Sequence, residues 1–162
     1  MLGSSLCEVY NGNNSVYAFH REKKCFAVCT ADYSSELTDS IKLQSYFDQI
    51  KPDLVIHCAG LINLDMCEKN PQLAYDINVT STENIAKMCS QDAKLVYIST
   101  DQVYGGLKYR SEETTKLQPL NQYGKTKLQG ELKVKELSTA SIIVRTNIFG
   151  WNIKPARVSS AE

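Results

Sequence analysis

Short runs of apolar, β-forming residues alternate along the chain with segments whose apolar residues recur at helical spacing. Strands that alternate with helices are typical of parallel sheets in which each crossover connection is a helix. The run that begins at Asp53 is almost continuously apolar, which indicates a strand covered on both faces. The alternation therefore predicts an α/β fold with a doubly wound parallel sheet. The predicted strands are Val16–Phe19, Asp53–Cys58, Leu95–Ile98 and Ile142–Val144.

Three helices are predicted between these strands. The first has an apolar face with the spacing i, i+3, i+4, i+7 and stops before Pro52. The second has Asn70 as its N-cap and Pro71 at its first helical position. The face of the first helix consists of Leu43, Tyr46, Phe47 and Ile50. The other two helices are predicted from Asn70 to about Ser90 and from about Asn121 to Leu137.

Composition and charge exclude several classes of protein. The 162 residues suit one domain, and 18 Lys+Arg balance 18 Asp+Glu, so we expect no nucleic-acid partner. No apolar run reaches the roughly 20 residues that span a bilayer, and the N-terminus does not resemble a signal peptide. Six cysteines occur without a Cys-x-x-Cys pair, which indicates reduced structural thiols and no metal site. These features predict a soluble cytoplasmic protein without a membrane partner.

Small and polar residues follow the predicted strands. Ala59 and Gly60 come after one strand, Ser99, Thr100 and Asp101 end the next, and a turn follows Val144. In a doubly wound sheet, ligands bind beyond the carboxyl ends of the strands. We therefore expect the functional site at this edge.

Tyr123 and Lys127 are four residues apart at the start of the third predicted helix, so they share one helical face. A phenol with its ordinary pKa near 10 exchanges protons poorly at neutral pH, and a nearby ammonium should lower that pKa. A hydroxyl from Thr100 or Ser99 could hydrogen-bond a reacting carbonyl oxygen. A Tyr and a Lys at this spacing are also common on solvated helices, but the polar strand ends favour a general acid or base.

Several blocks of the sequence, in order and covering nearly the whole chain, resemble the extended short-chain dehydrogenase/reductase family. The resemblance is strongest to its dTDP-4-dehydrorhamnose reductase branch, and it implies an NAD(P)-binding fold of the Rossmann type. The blocks are Pro52–Gly60, Asn63–Glu68, Asn78–Thr80, Ser99–Tyr104, Pro119–Leu128, Gly130–Glu131 and Arg145–Gly150.

The resemblance implies a role for each residue at the predicted site. Tyr123 would donate a proton to a keto oxygen, and Lys127 would lower the pKa of Tyr123 and bind the ribose of the nicotinamide nucleotide. Thr100 would polarise the keto group, and Asp101 would contact the substrate. Ile148 matches a substrate position that often carries tryptophan in the family.

The resemblance also implies a cofactor site. Ala59, Gly60 and Leu61 would lie along the dinucleotide, where small residues let the backbone approach closely. Gly3 matches the final glycine of the family's Gly-rich turn, which binds the pyrophosphate. Accordingly, the family's first strand precedes the position of Met1, and we expect residues 1–150 to form the dinucleotide-binding domain without that strand. Residues 151–162 would begin the substrate-binding part.

Two explanations for the expected absence of the family's first strand remain open: an incomplete sequence and a truncated paralogue. In either case, the strands at Val16 and Asp53 would present apolar edges that favour aggregation.

The preferred dinucleotide is predicted to be NADP, with NAD as the alternative. The residue at the end of the second family strand faces the adenosine ribose, and a carboxylate there repels a 2′-phosphate. Here His20 and Arg21 follow that strand, and the first carboxylate after it is Glu22. Arg21 is the candidate for binding the phosphate, with Lys23 or Lys24 adding positive charge. A solvated basic turn is the alternative interpretation.

Two functions are compatible with these patterns. The first is NAD(P)H-dependent reduction of the keto group of a nucleotide-linked 4-keto-6-deoxy sugar by a protein that forms a homodimer. The second is a non-catalytic dinucleotide-binding subunit that resembles the β subunit of methionine adenosyltransferase. Dehydratases of the superfamily carry an acidic pair after the catalytic hydroxyl, and Gln102 stands at the second of these positions.

Overall fold

The computed structural model describes residues 2–21, 28–89, 93–106 and 111–148. Within these ranges the strands are β1 (Tyr17–His20), β2 (Ala31–Ser34), β3 (Leu54–His57), β4 (Lys94–Thr100) and β5 (Ser141–Thr146). The α-helices are α1 (Leu2–Tyr10), α2 (Ser40–Ile50), α3 (Leu64–Lys69), α4 (Pro71–Tyr75), α5 (Ser81–Met88) and α6 (Gln122–Leu137). A π-helical turn, Asp76–Thr80, joins α4 to α5, and a 3-10 turn, Asp101–Val103, follows β4.

The strands form two parallel groups. β1 pairs with β2, and β4 lies between β3 and β5. Helices flank these sheets, which confirms the predicted α/β class. In the described part of the chain, β1 and β3 do not pair with each other.

The predicted full covering of the strand at Asp53 is wrong. Leu54 is 43% exposed, and Val55 and Ile56 are half-buried. The reason is that β3 pairs on one side only, with β4, within the described residues. An edge position leaves one side of a strand less covered than the centre of a sheet.

The hydrophobic core lies between β4 and the helices α2, α5 and α6. Leu95 and Tyr97 of β4 are fully buried, and Leu43, Ile85 and Val134 approach them from the three helices. Burying a side chain of this size stabilises the fold by roughly 1.5–3 kcal/mol. The helical face predicted around Leu43 therefore does point into the core.

An aromatic cluster attaches the β1-β2 pair to α2. The ring of Tyr46 lies with its centroid 5.2 Å from that of Phe19 and 4.8 Å from that of Tyr33. Ring pairs at these distances contribute about 0.5–1.5 kcal/mol beyond the area that they bury. The cluster therefore fixes the position of the two-stranded sheet.

The helix predicted from Asn70 is observed as α4, the π-helical turn and α5 in succession. Pro71 stands at its first position, as predicted, and the Asn70 carbonyl accepts a hydrogen bond from the Ala74 amide at 3.0 Å. Asn70 is the N-cap, as predicted, although its side chain makes no capping hydrogen bond. Pro71 already fixes the backbone for helix entry.

A buried histidine ends β3. His57 is 3% exposed, and its Nε2 lies 3.0 Å from the Thr82 hydroxyl. Because that hydroxyl donates its only hydrogen to the Asn78 carbonyl at 2.8 Å, it accepts from His57, whose Nε2 therefore carries the proton. Burial, with a smaller contribution from the Lys127 charge, lowers the pKa of His57 to about 3.

This lowered pKa predicts a loss of stability in acid. The unfolded chain protonates His57 near pH 6.5 and the folded chain only near pH 3. The contribution is therefore complete above pH 6.5 and is lost as the pH falls from 6.5 towards 3. One such group gives a slope of about 1.4 kcal/mol per pH unit.

Urea unfolding at a series of pH values between 6.5 and 3 measures how steeply the free energy of unfolding depends on pH. In His57→Gln, we expect the part of that slope that His57 contributes to disappear. NMR of the wild-type imidazole provides a second reading that does not require the variant to fold. An imidazole that titrates near pH 6.5 in the folded protein would contradict the assignment.

Candidate active site

The carboxyl ends of β3 and β4 lie at the same edge as the start of α6. Asn121 caps α6, because its Oδ1 accepts a hydrogen bond from the Gly124 amide at 2.7 Å. The Asn121 Nδ2 also donates to the Gln102 side-chain oxygen at 2.8 Å. A Cβ atom at Gly124 would meet the Gln102 carbonyl oxygen at 2.5 Å. Glycine thus allows α6 to begin directly against the 3-10 turn that follows β4.

This arrangement brings Tyr123 and Thr100 together. Tyr123 is half-buried, and the Thr100 side chain is near enough to influence its phenol, while the Thr100 hydroxyl donates to the Asp101 carboxylate at 3.3 Å. Burial raises the pKa of Tyr123 from its ordinary value, and the influence of Thr100 only partly offsets that rise. The phenol is therefore protonated at neutral pH.

The predicted lowering of the Tyr123 pKa by Lys127 is wrong. Burial is the dominant influence on that phenol, and it acts in the opposite direction. The Lys127 ammonium donates a hydrogen bond to the Ile98 carbonyl of β4 at 2.7 Å instead. Spacing alone placed the two side chains on one helical face, but it did not determine the acceptor of the ammonium.

Lys127 is an unusual buried cation. It is 4% exposed, and its Nζ lies 4.1 Å from the centroid of the Tyr97 ring, in a cation–π contact. Burial lowers the pKa of Lys127 to about 8, while the Glu131 carboxylate opposes that fall. An ammonium has three N–H donors, and the Ile98 carbonyl uses one of them. The side chain is therefore suited to binding a ligand that carries hydroxyl groups.

Ser99 and Thr100, both candidates for the polarising hydroxyl, have different partners. Ser99 donates to the Glu131 carboxylate at 2.6 Å. Glu131 is 0% exposed and is bound by Arg145 through Nε at 2.9 Å and Nη2 at 2.6 Å. Ser99 thus belongs to a buried ionic network, and Thr100 is the hydroxyl next to Tyr123.

Asn78 belongs to one of the sequence blocks that resemble the family, but no site role was predicted for it. It lies in the π-helical turn, is 1% exposed, and accepts from the Leu61 amide at 2.7 Å while donating to the Leu61 carbonyl at 3.1 Å. It also donates to the Thr126 hydroxyl at 3.0 Å. A Cβ at Gly60 would lie 3.1 Å from the Asn78 Oδ1. Asn78 therefore links the loop after β3 to α6.

That loop contains the predicted cofactor residues Ala59, Gly60 and Leu61. It follows β3 directly, and Ala59 is exposed. The two hydrogen bonds from Asn78 fix its backbone at Leu61. A fixed, glycine-containing backbone after a parallel strand is a feature expected of a dinucleotide-binding edge.

The other predicted cofactor residues lie elsewhere. Gly3 is in the first turn of α1, with open space where its Cβ would be. Arg21 is exposed directly after β1, and its carbonyl accepts a hydrogen bond from the Ser34 hydroxyl at 3.1 Å. Lys23 and Lys24 lie outside the described residues.

The predicted substrate residues flank the polar strand end. Asp101 is exposed and opens the 3-10 turn, and Ile148 is 46% exposed beyond β5. A cavity of about 790 Å³ is lined by Asp101, the residue after Thr100. Tyr123 and Lys127 do not line it. Its lining residues are Asp101, Gln102, Tyr104, Gly106, Ser111, Glu113, Lys135, Ile143 and Arg145. The predicted start of a substrate-binding part, residues 151–162, lies outside the described residues.

The described residues hold no cluster of three or more metal-ligating side chains. Cys58, Cys67 and Cys89 carry free thiols, and burial raises the pKa of Cys89 to about 12. No helix in the described ranges is both long and apolar enough to cross a bilayer.

Comparison with known proteins places this geometry in context. A family model described as RmlD substrate binding domain matches residues 1–152. The chain is 32% identical over 125 residues to a dTDP-4-dehydrorhamnose reductase of Aggregatibacter actinomycetemcomitans, covering 75% of the chain and 42% of that protein. It is 35% identical over 119 residues to methionine adenosyltransferase 2 subunit beta of Xenopus laevis, covering 73% of the chain and 36% of that protein.

Solved structures similar to this chain also include a dTDP-4-dehydrorhamnose reductase. The dTDP-4-dehydrorhamnose reductase of Bacillus anthracis, in complex with NADP, superimposes with a TM-score of 0.68 and 37% identity, covering 70% of this chain and 43% of that one. The neighbours are Rossmann-type reductases and epimerases. The chain spans less than half the length of each of these three relatives.

Proposed function

The chain belongs to the RmlD substrate-binding domain family, and from this premise we propose that its protein reduces the keto group of a nucleotide-linked 4-keto-6-deoxy sugar with NADPH. The observation that carries the proposal is the position of the half-buried Tyr123 at the start of α6, which the Asn121 cap and Gly124 hold against the turn that follows Thr100. The hydroxyls of Tyr123 and Thr100 can bind a carbonyl oxygen there, and Tyr123 can protonate it. The reductases among the relatives support the same reaction class.

The residues beside Tyr123 fit a nicotinamide dinucleotide. Gly60 keeps the loop after β3 free of side-chain bulk, and Lys127 presents an ammonium with donors for ribose hydroxyls. When bound, the cofactor supplies the hydride that reduces the keto carbon. Ala59, Gly60 and Leu61 would hold it together with Lys127, and Arg21 would bind its 2′-phosphate.

The side chains of this chain supply the proton that the keto oxygen receives. Tyr123 gives its hydroxyl proton to the keto oxygen, which becomes the alcohol of the product. The raised pKa keeps Tyr123 in the acid form at neutral pH, which is the form that a reduction requires. Thr100 hydrogen-bonds to the resulting phenolate, and solvent restores the proton.

A non-catalytic binding subunit is the second candidate, and the similarity to methionine adenosyltransferase 2 subunit beta favours it. Such a subunit would use the same loop and Lys127 to bind a dinucleotide but would not need an acid. The position of Tyr123 against the turn that follows Thr100 favours the reductase. A dehydratase is disfavoured because Gln102 uses its amide oxygen to anchor Asn121 instead of supplying a second acid.

The loss of nicotinamide absorbance distinguishes the two candidates. The purified protein is incubated with NADPH and a dTDP-linked 4-keto-6-deoxy sugar, and parallel samples contain the corresponding alcohol. We expect NADPH oxidation only with the keto sugar. Tight NADPH binding without oxidation in either sample would favour the binding subunit.

The role of Arg21 gives a prediction about cofactor choice. We expect kcat/KM for NADPH to exceed that for NADH, because a guanidinium binds a phosphate through two parallel hydrogen bonds. Arg21→Ala should remove about 1–2 kcal/mol of that preference, the scale of a hydrogen bond to a charged group. Arg21→Lys keeps the charge but loses the paired hydrogen bonds. Its preference for NADPH over NADH should lie between that of the wild type and that of Arg21→Ala. An unchanged ratio in Arg21→Ala would refute the assignment.

A further inference from the structure

The start of α6 is held by a second acceptor, which comes from a distant part of the chain. Glu68 is exposed on α3, and its Oε1 accepts a hydrogen bond from the Gln122 amide at 2.8 Å. Gln122 is the first residue of α6 and the immediate neighbour of Tyr123. The first amides of a helix have no partner within it, and a carboxylate there also interacts favourably with the helix dipole. Glu68 and Asn121 together satisfy the amides on both sides of Tyr123.

The helix that carries Glu68 is itself attached to the cofactor side of the site. Cys67, the preceding residue, is 0% exposed, and its thiol donates to the Leu61 carbonyl at 3.4 Å. Asn63 caps the other end of α3 by accepting from the Met66 amide at 2.9 Å. This short helix is therefore fixed at its start and contacts the loop after β3 and the start of α6 through adjacent residues.

We propose that Glu68 is a positioning residue that sets the Tyr123 hydroxyl relative to the Ala59–Leu61 loop. The inference rests on the proposed reductase function, in which the hydride donor lies along that loop and Tyr123 supplies the proton. Reacting groups must be held in register, and a displacement of about 1 Å can cost on the order of 100-fold in rate. Glu68 does not touch the reacting atoms. It acts through the backbone of Gln122.

Three variants test the proposal. Glu68→Ala removes the acceptor, Glu68→Gln keeps an oxygen at the same place, and Asp65→Asn removes a neighbouring exposed charge on α3. We expect kcat to fall about tenfold in Glu68→Ala, within the range that misplacement produces. The KM for NADPH should stay within about twofold, because the cofactor loop keeps its own hydrogen bonds to Asn78. Glu68→Gln and Asp65→Asn should retain most of the wild-type kcat.

Hydrogen exchange provides a measurement independent of turnover. The backbone amides at the start of α6 should exchange about tenfold faster in Glu68→Ala and at the wild-type rate in Glu68→Gln, since exchange reports local opening. Wild-type protein that oxidises no NADPH would contradict the reductase proposal, whereas the exchange data would still test the attachment of α6. A Glu68→Ala variant with wild-type kcat, or a loss of kcat that Glu68→Gln also shows, would overturn the positioning role.

Discussion

Tyr123→Phe is expected to abolish reduction of the keto sugar while leaving dinucleotide binding nearly intact. The substitution removes only the hydroxyl that carries the transferable proton, and the aromatic ring keeps its packing. General acid catalysis contributes about 100- to 10,000-fold to a rate, so turnover should fall by that order. Steady-state NADPH oxidation measures the loss, and titration of NADPH by fluorescence measures binding.

Tyr17→Phe is the matched control, because Tyr17 lies on β1 away from α6 and also loses only a hydroxyl. Tyr17→Phe should oxidise NADPH at the wild-type rate. If Tyr123→Phe kept more than a few per cent of the wild-type rate, another group would be the acid.

Arg145→Met is expected to cost about 3–5 kcal/mol in the free energy of unfolding, the usual consequence of leaving a buried charge without its partner. Glu131 is 0% exposed, and Arg145 binds both of its carboxylate oxygens. A further hydrogen bond joins the Arg145 Nη1 to the Tyr104 hydroxyl at 2.9 Å. These contacts raise the pKa of Arg145 above its ordinary value, so the pair stays ionised.

The double variant Arg145→Met with Glu131→Leu provides the control, because removing both charges avoids the unpaired carboxylate. It should recover most of the lost stability, and it can be measured even if the single variant does not fold. Urea unfolding gives both free energies. A single variant that loses less than about 1 kcal/mol would show that the buried pair contributes little.

Buried ionic contacts connect this pair to the proposed chemistry. Glu131 accepts from Ser99, the residue before Thr100, and its charge partly restores the lowered pKa of Lys127. Tyr123, Lys127 and Glu131 recur at i, i+4 and i+8 along α6, so one face of that helix carries the acid, the cation and its counter-charge. The same face of α6 therefore contributes both to the stability of the fold and to the proposed site.

The parts of this structure that the sequence predicted are those governed by local patterns. The apolar runs predicted four strands, and α6 begins one residue after its predicted start near Asn121. β2 was missed because the alternation of Ala31–Ser34 extends over only four residues, and its place depends on the partner strand β1. α3 was missed because six residues are too few to display a helical period.

Electrostatic properties of the site were not predictable in the same way. The raised pKa of Tyr123 results from burial between elements that are distant in the sequence. The acceptor of Lys127, the Ile98 carbonyl, lies 29 residues away on β4. The role of Asn78 depends on a π-helical turn, which inserts an extra residue and leaves no periodic signature. Spacing identified these residue types, but tertiary packing decides their chemistry.

The fate of the cofactor's hydrogen tests the central claim most directly. NADPH deuterated on one or the other face of the nicotinamide C4 is supplied with the dTDP-linked 4-keto-6-deoxy sugar, and the sugar product is analysed by mass spectrometry and NMR. The account predicts that one of the two labels appears fully at the former keto carbon, with the new hydroxyl proton drawn from solvent through Tyr123. Product that carries no deuterium from either label, or NADPH that stays bound and unchanged, would contradict it.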